Sequence, residues 1–148
     1  FLNQEKREFE ANEGYWNIRN GEASGTIIGG NLCTFNLLLG TEFRPAFPKD
    51  TILFIEDTEA SPLADFERNL QALLHQPDFA NVKALVIGRF QKGSKVTREG
   101  LEYILNAKAE LKELPILANV DFGHTAPLLT IPLGGTAFLK DGKLSYEN

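Results

Sequence analysis

Two side chains in this sequence are placed to do proton-transfer chemistry. Glu56 follows Ile52, Leu53, Phe54 and Ile55, an unbroken apolar run. Such a run reads as a strand buried on both faces. His124 follows Ile116, Leu117 and Ala118, a second run of the same kind. Parallel strands end on one edge of their sheet, and in open α/β sheets ligands bind at that edge. A carboxylate and an imidazole brought together there form the general-base half of a hydrolytic triad. The carboxylate fixes the ring's tautomer, and the ring takes a proton from a nucleophile. The plainer alternatives are that Glu56, Asp57 and Glu59 are a solvated loop before the next helix, and that His124 makes only a structural hydrogen bond.

The nucleophile is the missing part. No G-x-S-x-G elbow occurs. Ser24, Ser61, Ser94 and Ser145 lie in turn, cap or strand contexts. Cys33 falls inside an apolar stretch and reads as a small core residue, although a Cys33–His124–Glu56 triad is the internal alternative. The chain has no methionine and opens on Phe1-Leu2. The expectation is therefore a piece of a longer protein whose missing part is N-terminal and carries the third group, with trimming in the cell as the other explanation.

The elements that must position the pair follow from periodicity and punctuation. Residues 3–11 are polar and read as a linker or short surface helix. Residues 15–19 and 26–28 are short β-prone runs, with Asn20-Gly21 between them as a hairpin signal. Trp16 reads as core or sheet face. Gly29, Gly30 and Asn31 precede a predicted short buried helix over 32–39, ended by Gly40. They make either a tight turn or a set of backbone N–H groups facing an anion. Ser61-Pro62 predicts a helix start, and Leu63, Phe66, Leu70, Leu73 and Leu74 recur at helical spacing up to about His75. Residues 84–88 read as a strand with a loop from Arg89 to Ser94. Thr97 opens a long helix whose apolar face runs through Leu101, Ile104, Leu105, Ala109 and Leu111. After Pro115 and the 116–118 strand, the chain from 128 to 146 reads as β, with Asp141-Gly142 as its turn. The middle is thus a parallel sheet with helices, flanked by β pieces that form an antiparallel layer.

Composition narrows the classes. The chain has 148 residues, 43% of them hydrophobic, and a formal net charge of -5. That is one globular domain with nothing to attract nucleic acid or an anionic membrane surface. One cysteine excludes an internal disulfide, and two histidines with it argue against a Cys/His zinc site. Neither a signal peptide nor a membrane span is legible.

The stretches NEGYW, EASGTIIGGNLCTFNLLLGTEF, ILFIEDTE, FERNLQALL, VKALVIGRFQKGS, LPILANVDFGH and IPLGGTAFL, in that order, cover nearly everything from Asn12 onward. They resemble the C-terminal domain of the LD-carboxypeptidase family of serine peptidases, and within it the branch of microcin C immunity proteins. The resemblance implies a swivelling-type domain in three layers, β/β/α, spanning residues 12–148, with 1–11 as the linker from an N-terminal α/β domain. It implies a Ser–Glu–His triad in the cleft between the domains. Glu56 in FIED and His124 in FGH match the family glutamate and histidine, and the serine belongs to the absent domain. Gly30 and Asn31 match the GGN segment near the substrate cleft. The nucleobase-stacking aromatic of the branch would lie upstream of Phe1, so Trp16 is not given that role. The implied substrates are small peptides or aminoacyl-nucleotides. This branch cleaves the amide between an amino acid and a non-hydrolysable adenylate analogue, as in processed microcin C. The wider family trims the terminal D-alanine from murein tetrapeptides. Both reactions are cytoplasmic, need no metal or organic cofactor, and are commonly carried out by dimers. The rival of another class is a non-catalytic ligand-binding domain with Gly29-Gly30-Asn31 as its anion site.

Overall fold

Ile52 to Ile55 form the middle of β4 (Thr51–Glu56), and every residue of this strand is buried. The alternation of a strand sends Leu53 and Ile55 into one hydrophobic cluster and Ile52 and Phe54 into another on the opposite face. A strand in that position is interior to the fold. β4 is flanked by β3 (Glu22–Asn31) and β5 (Val82–Gly88), and β6 (Ile116–Val120) lies beyond β5, all paired in parallel. The computed structural model describes residues 7–9 and 13–147.

The first cluster is covered by α2 (Leu63–Leu74), α3 (Arg98–Asn106) and the short α1 (Leu32–Asn36). The second is covered by strands. β7 (Thr136–Lys140) and β8 (Lys143–Glu147) form a hairpin that sends Ala137, Leu139, Leu144 and Tyr146 against Phe54, Val86 and Leu117. This is the expected β/β/α layering. The two β layers are one continuous sheet of eight strands, in the order β1-β8-β7-β3-β4-β5-β6-β2, curled over its own parallel centre. β3 is the corner strand: its first half pairs antiparallel with β7 and its second half pairs parallel with β4. The run at 26–28 therefore supplies a fourth parallel strand, where the sequence placed it in the flanking β unit.

Five other readings need correction. Asn20-Gly21 does not close a hairpin. β2 (Trp16–Arg19) pairs antiparallel with β6 at the far edge of the sheet, with Trp16 opposite Ala118. The open edge of β6 outcompetes the local turn, a case of tertiary pairing overriding a dipeptide signal. The helix read over 32–39 is regular only to Asn36; Leu37, Leu38 and Leu39 then bond back three residues as tighter turns. Leu37 is left 75% exposed there. Cys33 is exposed and is not a core residue. α3 ends at Asn106, and Ala109–Leu111 is a separate 3-10 turn. α2 begins at Leu63, with Pro62 in the cap position read for Ser61.

Of residues 1–11, Arg7–Phe9 form β1, a short strand antiparallel to β8; the rest of that stretch lies outside the described residues. The connection into β4 is anchored by Asp78, which bonds the Arg44 guanidinium at 2.6 Å and the Phe47 N–H at 2.9 Å. Burial pushes the Asp78 carboxyl up, but those bonds and the Arg44 charge together hold it below its ordinary value.

Candidate active site

Glu56 is the last residue of β4, and its side chain turns toward the ends of β5 and β6. Two glycines make room for it. A Cβ on Gly88, the last residue of β5, would lie 2.7 Å from Glu56 Cβ, and one on Gly123 would lie 2.5 Å from Glu56 Oε2. The carboxylate is thus seated against bare backbone, and the Glu56 side chain is only 8% exposed. Its Oε2 lies 2.6 Å from His124 Nδ1. An ionised carboxylate only accepts hydrogen bonds, so Nδ1 carries the proton and donates it to this bond. Nε2 is then the basic nitrogen. The ring is 44% exposed, which leaves that nitrogen accessible from outside the domain. The pair needs no rearrangement to serve as a general base.

His124 sits on an irregular loop between β6 and β7, yet the loop is tightly held. Phe122 N–H donates to Val120 O, and Leu129 N–H donates to Asp121 O, each at 2.7 Å. Phe122 packs on Phe54, with ring centroids 5.5 Å apart. The Arg89 guanidinium pairs with Asp121 at 2.9 Å and donates to Ala126 O at 3.1 Å. The route from sequence to site is direct: the apolar strand fixes Glu56, and the loop after the next-but-one strand brings His124 to it.

Gly30 and Asn31 end β3 on the same edge of the sheet, where Asn31 stands in register with Glu56. A Cβ on Gly30 would meet nothing within 4 Å, so the space beside it is open. Asn31 caps α1, with Oδ1 accepting from Thr34 N–H at 2.9 Å. Its Nδ2 donates to Asp57 Oδ1 at 3.3 Å. Glu56 and Asp57 therefore face different neighbours, one His124 and the other Asn31. A hollow of about 480 Å³ opens beside Asn31 and Asp57, with Cys33, Ser61, Asp65 and Arg68 on its wall. Among the described residues no hydrogen bond joins Asn31 or Cys33 to Glu56 or His124. A larger hollow of about 720 Å³ lies on β3, β7 and β8, lined by Glu22, Phe138 and Lys140, with neither Glu56 nor His124 on its wall. The carboxylate–imidazole pair therefore lies apart from the larger hollow. Among the described residues no group of His, Cys, Asp and Glu is arranged to hold a metal ion, and no helix is long and apolar enough to cross a membrane.

The structure brings the sequence-predicted Glu56 and His124 together and places Gly30 and Asn31 on the same sheet edge, and it adds supports around them that sequence reasoning missed. Gly88 and Gly123 read only as strand and loop ends, and Arg89 read as a loop residue. The available signal was that both glycines directly adjoin groups of the site, in Gly88-Arg89 and Gly123-His124.

The fold and the pair define a mixed α/β domain with a carboxylate–imidazole dyad at the C-terminal edge of its parallel strands. Residues 24–139 match the family described as LD-carboxypeptidase C-terminal domain, and the chain belongs to that family. It is 51% identical over 136 residues to "Putative carboxypeptidase YocD" of Bacillus subtilis (strain 168), which covers 92% of this chain and 42% of that protein. It is 37% identical over 118 residues to the microcin C7 self-immunity protein MccF of Escherichia coli, covering 77% and 33%. It is 32% identical over 123 residues to the murein tetrapeptide carboxypeptidase of Pseudomonas aeruginosa, covering 82% and 40%. Among solved structures, an MccF-like protein from Bacillus anthracis superposes with a TM-score of 0.86 at 42% identity, covering 91% of this chain and 43% of that one. MccF in complex with glutamyl sulfamoyl guanosine superposes with a TM-score of 0.74 at 31% identity, covering 95% and 42%. The chain spans about two-fifths of the length of the curated relatives from Bacillus subtilis and Treponema pallidum that it matches.

Proposed function

We propose that this chain is the C-terminal half of a two-domain serine carboxypeptidase-like amide hydrolase of the microcin C immunity type. The 2.6 Å bond between Glu56 and a half-exposed His124 carries the reading. Glu56 holds the ring with Nδ1 protonated and stabilises the imidazolium that forms. His124 Nε2 takes the proton from a serine hydroxyl supplied by the domain upstream, and the hydroxyl oxygen attacks the amide carbonyl. His124 then gives that proton to the leaving nitrogen as the carbon–nitrogen bond breaks. In the second half-reaction it deprotonates the water that releases the acid and restores the serine. Gly30 and Asn31 border the substrate on the neighbouring strand end, with Asn31 oriented by Asp57. On the family pattern the protein works in the cytoplasm as a homodimer.

The proposed substrates are aminoacyl-nucleotide analogues, in which an amino acid is joined through an amide to a sulfamoyl nucleoside. The likeness to MccF with such a ligand bound supports this class. A second reading, removal of a terminal amino acid from murein tetrapeptides, is favoured by the likeness to the Pseudomonas aeruginosa enzyme. The separating experiment compares the two substrates with the full-length protein, alongside the 148-residue chain alone. Full-length protein is expected to cleave aspartyl or glutamyl sulfamoyl adenosine with the higher kcat/KM, and the isolated chain is expected to cleave neither. Preference for the tetrapeptide would assign the murein reading. Turnover by the isolated chain would place a nucleophile inside it and return attention to Cys33.

A further inference from the structure

We infer that Arg89 is a positioning residue that locks the His124 loop to the segment just ahead of β2. Arg89 directly follows β5, and its side chain is only 10% exposed. Its backbone N–H donates to Val120 O at 2.8 Å, which joins β5 to the end of β6. Its guanidinium then grips the loop on both sides of His124, at Asp121 Oδ1 (2.9 Å) and Ala126 O (3.1 Å). The other terminal nitrogen reaches Glu13 Oε1 at 3.2 Å. Glu13 stands just ahead of β2.

A second link joins the same two segments without Arg89. Asn119, in the left-handed region with φ 60, donates from Nδ2 to Gly14 O at 2.8 Å. Residues 13–14 and the 119–126 loop are thus tied at two points. The strand that follows Glu13 also runs against the strand that leads to His124, Trp16 opposite Ala118. Three acceptors on two segments call for a planar fork with several N–H groups, which arginine has and a lysine ammonium does not reproduce. A charge this buried is held by ionic and hydrogen-bonded partners together and resists displacement.

This inference rests on the proposed reading, in which the nucleophile arrives from upstream. Residues 13–14 lie between β1 and β2, both strands of this sheet, so they are a fixed anchor, and through Arg89 and Asn119 they hold the base in place. Arg89 holds His124 where an imported serine can meet it, without itself touching substrate.

The test uses the full-length protein with Arg89→Lys and Glu13→Ala, read by steady-state kinetics and by 15N NMR of histidine side chains. In Arg89→Lys, kcat is expected to fall by about 10- to 100-fold, the scale of a base displaced by roughly 1 Å, with KM changed less than about twofold. The hydrogen-bonded Nδ1–H signal of His124 is expected to broaden or vanish. Glu13→Ala is expected to show the same pattern, several-fold smaller, and the double variant to fall no further than Arg89→Lys alone. A residue that only stabilised the fold would lower the melting temperature and leave kcat of the folded protein and the Nδ1–H signal unchanged; that result overturns the inference. If Arg89→Lys does not fold, Glu13→Ala decides, because wild-type kcat with an intact signal in that variant would also overturn it. The NMR readout does not depend on turnover. A signal lost in Arg89→Lys, in a protein whose His124→Ala variant remains fully active, would leave the positioning role standing and remove the catalytic reading.

Discussion

His124→Ala in the full-length protein is expected to lower kcat/KM by roughly 10⁴-fold or more, the usual consequence of removing one member of a hydrolytic triad. The fold should survive, because the ring is 44% exposed and its side-chain hydrogen bond is to Glu56. Melting temperature and urea midpoint should therefore stay close to wild type while activity disappears. KM should change little, since the imidazole acts on the proton of the nucleophile and not on the body of the substrate. A fully active His124→Ala protein would mean that the 2.6 Å pair is a structural contact and that the base lies elsewhere.

Gly123→Ala carries the second large effect, and it reaches the site through Glu56. The new Cβ would lie 2.5 Å from Oε2, 2.8 Å from Cγ and 2.9 Å from Cβ of that residue, in a backbone with φ 101. Backbone strain of this kind costs about 1–3 kcal/mol. The larger consequence is that the carboxylate must leave its seat and take the imidazole with it, for which a fall in kcat of about 100-fold is expected. Gly134→Ala separates the two effects. Gly134 has φ 85, and a Cβ there meets nothing within 4 Å. It should lose comparable stability in denaturant titration and keep its activity. Equal activity in Gly123→Ala and Gly134→Ala would show that the seat of Glu56 does not matter to the reaction.

Much of the frame was legible because it is written in local pattern. The unbroken apolar runs at 52–55 and 84–87 read as strands covered on both faces, and the 3.6-residue recurrence from Leu63 to Leu74 reads as an amphipathic helix. With those strands parallel, Glu56 and His124 fall on one edge of the sheet, where they can meet. The layering also followed, because β pieces flanking a parallel sheet have its uncovered face to bury. What failed did so where a distant partner decides. Asn20-Gly21 is a good turn in isolation, but β2 pairs with β6 and not with β3, which follows it in the chain. Cys33 belongs to an apolar string that is helical for only five residues, so its side chain falls on the outer face. The glycines under Glu56 and the Arg89 fork have meaning only in three dimensions, since their partners lie on other strands and loops.

On the proposed reading the domain has one role, that of a rigid holder for a general base whose nucleophile comes from the upstream domain. The strand fixes the carboxylate, two glycines let it sit low, and Arg89 closes the loop that carries the imidazole. The most direct test is the turnover rate of the full-length His124→Gly protein with and without free imidazole, on an aminoacyl sulfamoyl adenosine. An exposed ring leaves an open slot when removed, and Glu56 remains to orient a replacement. The account predicts a nearly inactive variant whose rate rises with imidazole concentration and saturates, and no such rise in the His124→Gly/Glu56→Ala double variant. A His124→Gly protein that hydrolyses substrate at the wild-type rate without imidazole would contradict it.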